Sequence, residues 1–465
     1  MFCFYYNMND NEIKFTKNSI YRLRIDDMNS FGAGVSRIGK MVVFVQNAVT
    51  GDLCDVKIIK VAKNYLVGRI EKLIEASPVR INSDCPMSRR CGGCVYRNVT
   101  YSHELERKRN TVESLMRKAG LDVRVREPLH GDPDGYRNKA QYPVGRAANG
   151  SVSIGFYAGK THEIINMTEL CRLQPEIFGR IVEFLRKFLT ENKIEPYDES
   201  TGRGIVRHIY LRRAWSTGKV MVCVVVTAKF DKSHRLAKEI MSQFDEISGV
   251  LLNYNPENTN VVLGKKFELL AGEAELHDEL CGRKFSFAPD SFWQVNRDMA
   301  SVLYKKAGEL ADIKPGEKVL DLFCGIGSVG QSICEKTTKL YGIEIVPAAV
   351  ENAKKNAAAN GFSDAEYLCL DADDPDSMRR ELLKIGQDLD VIILDPPRGG
   401  CSPELLRLVS ENTNARIVYI SCGPDTLARD LAILVKLGYK TSDISTVDLF
   451  PRTGHIESVC LIERK

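Results

Sequence analysis

The strongest constraint on the fold is a repeated order of apolar strand, glycine turn and helix in the chain after Gly282. Five apolar segments fit strands of this kind, namely Lys318–Phe323, Lys339–Ile343, Glu366–Leu370, Val391–Leu394 and Arg416–Ser421. Strands that alternate with helices form a parallel sheet with helices on both faces. The pattern therefore predicts a doubly wound, Rossmann-like α/β domain over residues 282–465.

The first of these strands leads into a glycine-rich turn, Asp321–Gly330, where a nucleotide cofactor can approach the backbone. The second strand is followed by Glu344, whose carboxylate can accept hydrogen bonds from ribose hydroxyls. NAD and FAD enzymes share both features. However, Asp371 after the third strand and Asp395–Arg398 after the fourth are typical of methyltransferases. We therefore predict S-adenosylmethionine as cofactor, although Asp371 alone also fits a simple turn or cap.

The fifth strand ends at a thiol, Cys422, on the edge of the sheet where ligands bind. Most single cysteines are small core residues, and we expect Cys223 and Cys334 to be of that kind. One reaction that requires a thiol beside a methyl donor is methylation of carbon 5 of uracil. A thiolate that adds to carbon 6 makes carbon 5 nucleophilic enough to take up a methyl group. A base must then remove the carbon 5 proton, for which Glu457 is the candidate and His455 the alternative.

The first 78 residues predict a small β-barrel, because short apolar-polar alternations separated by glycine turns extend from Asn18 to Glu75. An antiparallel sheet within a larger domain is the alternative. The segment resembles the TRAM domain, an OB-like RNA-binding barrel of RNA-modifying enzymes. The glycine-rich loop after Phe31 and the pair Gly51–Asp52 carry this resemblance.

Residues 79–281 predict a central α+β domain, with helices near Pro175–Lys187 and Ser233–Phe244. A basic helix is expected over residues 100–120, with Ser102 as N-cap and Gly120 as C-cap, and it can pack on the catalytic domain. The net charge is only +4, so RNA binding would depend on local clusters. Basic clusters at 107–126 and 203–213 are either RNA contacts or ordinary solvated faces.

Three of the 14 cysteines, Cys85, Cys91 and Cys94, lie within ten residues, and Cys171 is a possible fourth member of the group. Four thiolates suit either a [4Fe-4S] cluster or a structural zinc ion, and three unrelated thiols are the remaining alternative. The spacing differs from the Cys-x3-Cys-x2-Cys loop of radical S-adenosylmethionine enzymes. We therefore predict a structural centre, or one that shapes the RNA site.

Together these motifs resemble the uracil-5 RNA methyltransferases, the family of the 23S rRNA and tRNA m5U enzymes, over nearly the whole chain. The matching segments are Phe292–Asn296, Asp321–Gly327, Asp395–Gly400, Ser421–Cys422, Thr426–Asp430 and His455–Glu457. Tyr136–Tyr142 also matches, and we expect it on an RNA-facing surface of the central domain. Ser328 and Gly423 depart from the family pattern, since asparagine is common at the first position and asparagine or aspartate at the second.

The resemblance implies a role for each candidate site residue. The implied contacts to S-adenosylmethionine come from Gln294, Phe323, Ser328, Glu344, Asp371 and Asp395. Cys422 would be the nucleophile and Glu457 the base, and Asp395 could orient either the uracil or the cofactor. The implied ligands of a [4Fe-4S] cluster are Cys85, Cys91, Cys94 and Cys171.

These features predict S-adenosylmethionine-dependent methylation of uridine carbon 5 in 23S rRNA, with uridine 54 of tRNA as the alternative substrate. A catalytically inactive RNA-binding assembly factor is a third possibility, against which the intact Cys422, Glu457 and Asp395 argue. Met1–Asp10 lacks a signal-peptide pattern, and no apolar stretch is long enough to span a bilayer. We therefore expect a cytoplasmic protein with RNA as its partner, no membrane contact and no obligate protein partner.

Overall fold

The computed structural model of the chain describes residues 15–147, 149–159, 161–166, 171–385 and 388–465. Residues 1–14 of the predicted barrel and short stretches of the other two predicted domains thus lie outside the described residues. The chain forms two compact units, the first comprising residues up to Asn110, Ala158–Thr161 and Phe450–His455 and the second the remaining segments. Across the described ranges, no helix is both long and apolar enough to cross a bilayer.

The N-terminal part of the first unit is a six-stranded sheet. Its strands are β1 Ile20–Arg24, β2 Asp27–Met28, β3 Gly34–Ile38, β4 Met41–Gln46, β5 Leu53–Val61 and β6 Tyr65–Glu75. They lie in the order β1-β5-β6-β4-β3-β2, and all neighbours are antiparallel except β4 and β6. Alternate residues such as Val43, Val45, Val56 and Ile58 form a buried core. The structure thus contains the small β domain that the apolar-polar alternation predicts.

Helix α1 spans Tyr101–Lys118. Ser102 lies inside its first turn, so the prediction that this residue is the N-cap is wrong. The end of the helix agrees with the prediction, since Gly120 has a φ of 75° and the N–H of Leu121 donates to the carbonyl of Met116. The second half of the helix carries Met116 into the same buried cluster as the strands of the Rossmann-like sheet described below.

A buried carboxylate joins the first half of α1 to the segment Phe450–His455. Glu104 is fully buried and accepts hydrogen bonds from Lys108 Nζ at 2.7 Å and from the backbone N–H of Arg452 at 2.6 Å. Arg452 has a φ of 68°, an uncommon conformation for a residue other than glycine. Lys108 is buried in this contact, so it is neither the RNA contact nor the solvated cation that the basic cluster suggested.

The central part of the second unit contains a mixed sheet in the order β14-β13-β12-β11-β7-β8 and two two-stranded sheets, β9-β10 and β15-β16. The strands are β7 Lys139–Arg146, β8 Val152–Ile154, β9 Phe156–Tyr157, β10 Ile164–Ile165, β11 Val206–Arg213, β12 Val220–Val226, β13 Ile247–Tyr254, β14 Lys266–Gly272, β15 Leu276–Leu280 and β16 Arg283–Phe287. Helices α2 Glu176–Glu191 and α3 Ser233–Gln243 bury their apolar residues against the six-stranded sheet in one core cluster.

One sequence-based expectation about this region is wrong, and another stays a prediction. In the second basic cluster, Arg207 and Arg212 are buried rather than solvated. In the segment Tyr136–Tyr142, Asn138 and Tyr142 are fully buried, so only the other face of the segment is accessible, and its contact with RNA stays a prediction. Its residues alternate in burial because β7 has one face in the core, where Ala140 and Tyr142 pack.

The C-terminal part of the second unit is the doubly wound sheet that the sequence predicts. Its strands are β17 Lys318–Leu322, β18 Lys339–Glu344, β19 Ala365–Cys369, β20 Val391–Leu394, β21 Arg416–Ser421, β22 Tyr439–Thr441, β23 Ser445–Val447 and β24 Glu457–Arg464. Its helices are α4 Arg297–Ala311, α5 Ser328–Ile333, α6 Pro347–Asn360, α7 Pro375–Ile385, α8 Pro403–Asn412 and α9 Pro424–Lys436.

The strand order of this sheet is β19-β18-β17-β20-β21-β24-β22, with β23 also pairing with β24. The strands from β19 to β21 are parallel, and β24 runs antiparallel to β21. From β17 the chain adds β18 and β19 on one side, and it then adds β20 and β21 on the other side of β17. The turns after β17 and β20 therefore flank a crevice at the carboxyl ends of the strands. Ligands of open α/β sheets bind in such a crevice.

Candidate active site

The glycine turn after β17 has an unusual backbone conformation. Phe323, Gly325 and Gly327 have φ values of 63°, 56° and 80°. A Cβ atom on Gly327 would lie 2.4 Å from Nε2 of Gln331, whereas one on Gly325 would meet nothing within 4 Å. The carboxylate of Glu344 on β18 accepts a hydrogen bond from the N–H of Gly325 at 3.0 Å. The turn is therefore held in a shape that leaves open space beside its backbone.

The crevice is lined by buried carboxyl groups. Asp321 is 1% exposed; its Oδ2 accepts the N–H of Gly330 at 2.9 Å, while its Oδ1 has no hydrogen-bond partner. Burial, aided by the charges of Asp395 and Glu344 and opposed by the hydrogen bond from Gly330, raises the pKa of Asp321 to about 8. An acidic crevice with an unsatisfied oxygen fits a cationic ligand such as the sulfonium of S-adenosylmethionine.

Gln294 and Ser328, both predicted to contact the cofactor, lie on either side of one tyrosine. The hydroxyl of Tyr304 is 3.4 Å from Oγ of Ser328 and hydrogen-bonds to the side chain of Gln294. The backbone of this segment is fixed by Asn138, which donates from Nδ2 to the carbonyl of Gln294 at 2.9 Å and from its N–H to that of Val295 at 2.8 Å. The roles of Asn138 and Tyr304 were not predicted, although Asn138 lies in a segment that matches the family.

Antiparallel pairing brings the predicted nucleophile and base together. Ser421, the last residue of β21, lies opposite Ser458 of β24. In an antiparallel ladder the next pair outward is therefore Cys422 and Glu457, and residues opposite each other have Cβ atoms about 5 Å apart. Glu457 is buried and Cys422 is partly exposed, so the thiol is open to an incoming ligand while the carboxyl lies behind it.

Four ionisable groups interact at this point. Burial raises the pKa of Cys422 to about 11; the charges of Glu457 and Asp395 also raise it, and Arg398 lowers it. Burial raises the pKa of Glu457 to about 8, with Asp395 adding to the effect and Arg398 opposing it. Burial likewise raises the pKa of Asp395 to about 7. A thiol, two carboxyl groups that can exchange protons near neutral pH and one guanidinium thus occupy the same end of the sheet.

The loop that carries Asp395 and Arg398 is fixed by the first turns of α9. Asp430 is fully buried and accepts hydrogen bonds from the hydroxyl of Tyr419 at 2.6 Å and the N–H of Cys401 at 2.9 Å. Arg429 donates to the carbonyl of Gly399 at 2.9 Å. These contacts explain why the segment Thr426–Asp430 accompanies the nucleophile in the sequence.

Two predicted site residues, Asp371 and His455, have surroundings that differ from those of the ionisable groups around Cys422. Asp371 is exposed after β19 and accepts the N–H of Asp373 at 2.9 Å, as a turn residue does. Its cofactor contact therefore stays a prediction. His455, the alternative base, belongs to the first compact unit, where its ring lies edge-on to Phe450 at 5.9 Å between centroids.

The three clustered cysteines lie in the first compact unit and Cys171 in the second. Burial raises the pKa of Cys91; the N–H of Gly93, which donates to its sulfur at 3.4 Å, opposes this shift, and Cys85 adds to it. Thiolates are ligands of the type that both iron-sulfur and zinc centres take. Yet no three metal-ligating side chains of the described ranges come together as a site, and the four residues before Cys171 lie outside those ranges. The metal centre stays a prediction.

Comparison with known proteins agrees with this geometry. The profile of the tRNA (uracil-5-)-methyltransferase family matches residues 100–465, and the TRAM profile matches residues 14–70. The chain belongs to the tRNA (uracil-5-)-methyltransferase family. This methyltransferase thus joins an RNA-binding TRAM domain to an S-adenosylmethionine-dependent catalytic domain.

Relatives of the methyltransferase match it over nearly its full length. An uncharacterized RNA methyltransferase of Bacillus cereus is 38% identical over 453 residues, covering 96% of this chain and 97% of the relative. One of Lactobacillus johnsonii is 39% identical, covering 96% and 99%. The crystal structure of Pyrococcus abyssi tRNA (uracil-54, C5)-methyltransferase with S-adenosyl-L-homocysteine is 26% identical, covers 95% of this chain and 99% of its own, and has a TM-score of 0.77.

Replacing Glu457 by glutamine should lower the pKa of Cys422 below about 11, because a negative charge beside the thiol disappears. The larger thiolate fraction at about pH 9 should speed alkylation of Cys422 by iodoacetamide roughly threefold to tenfold. The rate is measured by mass spectrometry of the peptide that contains Cys422, at several pH values.

Arg398→Met provides the opposite control, since loss of the positive charge should raise the pKa of Cys422 and slow its alkylation. The exposed Cys369 serves as the internal reference for reagent activity. If Cys422 of the Glu457→Gln variant reacted no faster than in the original protein, the carboxyl would not act on the thiol.

Proposed function

We propose that this methyltransferase transfers a methyl group to carbon 5 of a uridine in RNA through a covalent adduct on Cys422, with Glu457 as the base. The observation that supports this proposal is the cross-strand position of a partly exposed thiol opposite a buried carboxyl whose pKa is raised to about 8. A base with a pKa close to the working pH is effective in proton transfer.

The residues act in a defined order. The Cys422 thiolate adds to carbon 6 of uracil, and the electron pair of the 5,6 double bond moves into an enolate. S-adenosylmethionine, when bound, supplies an electrophilic methyl group, which carbon 5 takes up. Glu457 then removes the carbon 5 proton, the double bond re-forms and Cys422 leaves as a thiolate. Arg398 lowers the pKa of the thiol and so favours its charged form at the first and last steps.

The methyl donor is proposed to occupy the crevice between the turns after β17, β18 and β20. Glu344 already holds the glycine turn and could accept the ribose hydroxyls, and Phe323 lies at the start of the same turn with a φ of 63°. The remaining proposed contacts come from Gln294, Ser328, Asp371 and Asp395. Of these, Asp371 rests on the family resemblance alone.

We propose 23S rRNA as the substrate, with tRNA as the second candidate. The family resemblance links 23S rRNA to the combination of a barrel and a cysteine loop. The similarity to the P. abyssi tRNA enzyme favours tRNA, and it weakens the argument from the barrel. The similarity covers 95% of this chain, and the uncovered 5% contains fewer residues than the TRAM match over residues 14–70. At least part of the barrel therefore lies in the region that the two proteins share. The cysteine loop is then the feature that supports 23S rRNA.

Incubation with RNA that contains 5-fluorouridine, in the presence of S-adenosylmethionine, should yield an adduct that survives denaturation, because the base cannot remove fluorine from carbon 5. Cys422→Ala should abolish the adduct on a denaturing gel. Replacement of the exposed Cys369 by alanine is the matched control and should leave it unchanged. RNA binding without any adduct would instead support the RNA-binding assembly factor.

Mass-spectrometric mapping should find 5-methyluridine missing from one or two 23S rRNA positions in cells that lack this gene, while tRNA stays modified. Complementation with the intact gene should restore the modification, and complementation with the Cys422→Ala gene should not. Loss of 5-methyluridine from tRNA alone would overturn the rRNA assignment in favour of tRNA.

We also propose that Cys85, Cys91, Cys94 and Cys171 hold a [4Fe-4S] cluster. Protein purified without oxygen should contain about four iron and four sulfide per chain and absorb near 400 nm, as thiolate-bound clusters do. Cys94→Ser should lose the iron and the absorbance, whereas Cys369→Ser should keep both. One zinc ion per chain in place of iron would favour the structural zinc alternative.

A further inference from the structure

Two cations of the central sheet face each other directly. Lys139 of β7 lies opposite Arg212 of β11 in the antiparallel register. Their neighbours Ala140 and Leu211 belong to the apolar core, so Lys139 and Arg212 project from the other face of the sheet. Like charges directly opposite in a sheet are destabilising. The pair therefore carries an electrostatic cost, which Arg212 offsets in part because its guanidinium lies over the ring of Phe287, 4.6 Å from the ring centroid.

The donors of this pair are only partly satisfied. Arg212 is fully buried; its Nη1 donates to the carbonyls of Pro289 at 3.0 Å and Ser291 at 2.7 Å, but its Nε and Nη2 have no partner. Among the described residues, neither Lys139 nor Arg212 forms an ion pair with a carboxylate within 4 Å.

The surrounding charges do not favour a cation at Lys139. Burial, together with the positive charges of Arg212 and Arg137, lowers the pKa of Lys139 to about 8. Asp290 and Asp278 act on Arg212, yet Asp290 is exposed and Asp278 is occupied by the backbone N–H groups of residues 215 and 216. An anion bound beside the half-buried Lys139 would relieve the repulsion between the two cations.

The position of the pair links it to the proposed methyl-donor site. Asn138, the residue before Lys139, holds the carbonyl of Gln294. Arg212 holds the carbonyls of Pro289 and Ser291, only a few residues before Gln294. An anion bound here would lie beside the segment that is proposed to contact S-adenosylmethionine.

We infer that Arg137 and Lys139 form a phosphate-binding site, here called the cation site, for the RNA backbone next to the target uridine, and that the buried Arg212 adds positive charge behind them. The inference rests on the proposed function. A uridine that leaves its stack to reach Cys422 carries its flanking phosphates with it, and these need fixed cationic donors. The other available anion is the carboxylate of the methyl donor. Solvent reaches this face of the sheet through the half-buried Lys139. Three cations on such a face suit an RNA phosphate better than one small carboxylate.

The test is Lys139→Met, with Lys139→Gln as a second variant in case the first misfolds. Binding of transcribed 23S rRNA and of transcribed tRNA is measured over a range of salt concentrations. For the RNA that is methylated, the Kd should rise roughly tenfold, and the slope of log affinity against log salt should fall by about one. The Kd for S-adenosylmethionine should not change.

Two control variants accompany the test. Lys139→Arg keeps the charge and should retain most of the affinity. Lys187→Met removes an exposed charge from α2, on the opposite side of the sheet, and should change neither the Kd nor the salt slope. In the absence of RNA, Lys139→Met should raise the Tm by about 2 °C, because the facing like charges are gone.

Unchanged RNA affinity and salt slope in both Lys139 variants would overturn the cation site. Weaker binding of S-adenosylmethionine with intact RNA binding would overturn it as well, since the anion would then be the carboxylate of the methyl donor. The Lys187→Met control should form the 5-fluorouridine adduct through Cys422 as the original protein does. Failure of the original protein to form that adduct would count against the proposed function and not against the cation site.

Discussion

The active site depends on the antiparallel pairing of β24 with β21. Because Ser421 lies opposite Ser458, the thiol of Cys422 and the carboxyl of Glu457 are carried to adjacent positions by backbone hydrogen bonds instead of by flexible loops. A shift of one residue in this register would turn one of the two side chains to the other face of the sheet. The core beneath the pair, which includes Tyr419 and Cys460, keeps the register in place.

The same end of the sheet concentrates buried acid groups that the fold must tolerate. Exclusion of water raises the pKa values of Asp321, Asp395 and Glu457, and the charge of Asp395 adds to the effect on the other two. Such an arrangement weakens the free protein but suits a cationic methyl donor and a base that must accept a proton. The facing cations Lys139 and Arg212 follow the same principle with opposite sign. In both places the electrostatic strain marks where a ligand of complementary charge is proposed to bind.

Sequence reasoning failed where charge was taken as a sign of exposure. Lys108, Arg207 and Arg212 belong to clusters that looked like surface patches, and all three are buried. Lys108 pairs with Glu104, and Arg212 holds backbone carbonyls of the segment before Gln294. Glu104 is a local partner of Lys108, but the segment Phe450–His455 that contacts this pair lies far away along the chain, as do the carbonyls that Arg212 holds. Local spacing contains no information about these distant contacts. The prediction for Ser102 failed for a local reason, as the helix begins two residues earlier than an N-cap at Ser102 implies.

The sequence by itself determined the strand-helix alternation and the glycine turn at Asp321–Gly330, and it singled out Cys422 and Glu457 as the proposed nucleophile and base. Each of these depends on short-range periodicity or on chemistry that few residues can perform. Only the tertiary structure decided which charges are buried, that Arg398 faces the thiol and that Asn138 fixes Gln294. The physical reason is that desolvation and charge coupling depend on contacts between residues distant in sequence, and these arise only when the sheets close around their cores.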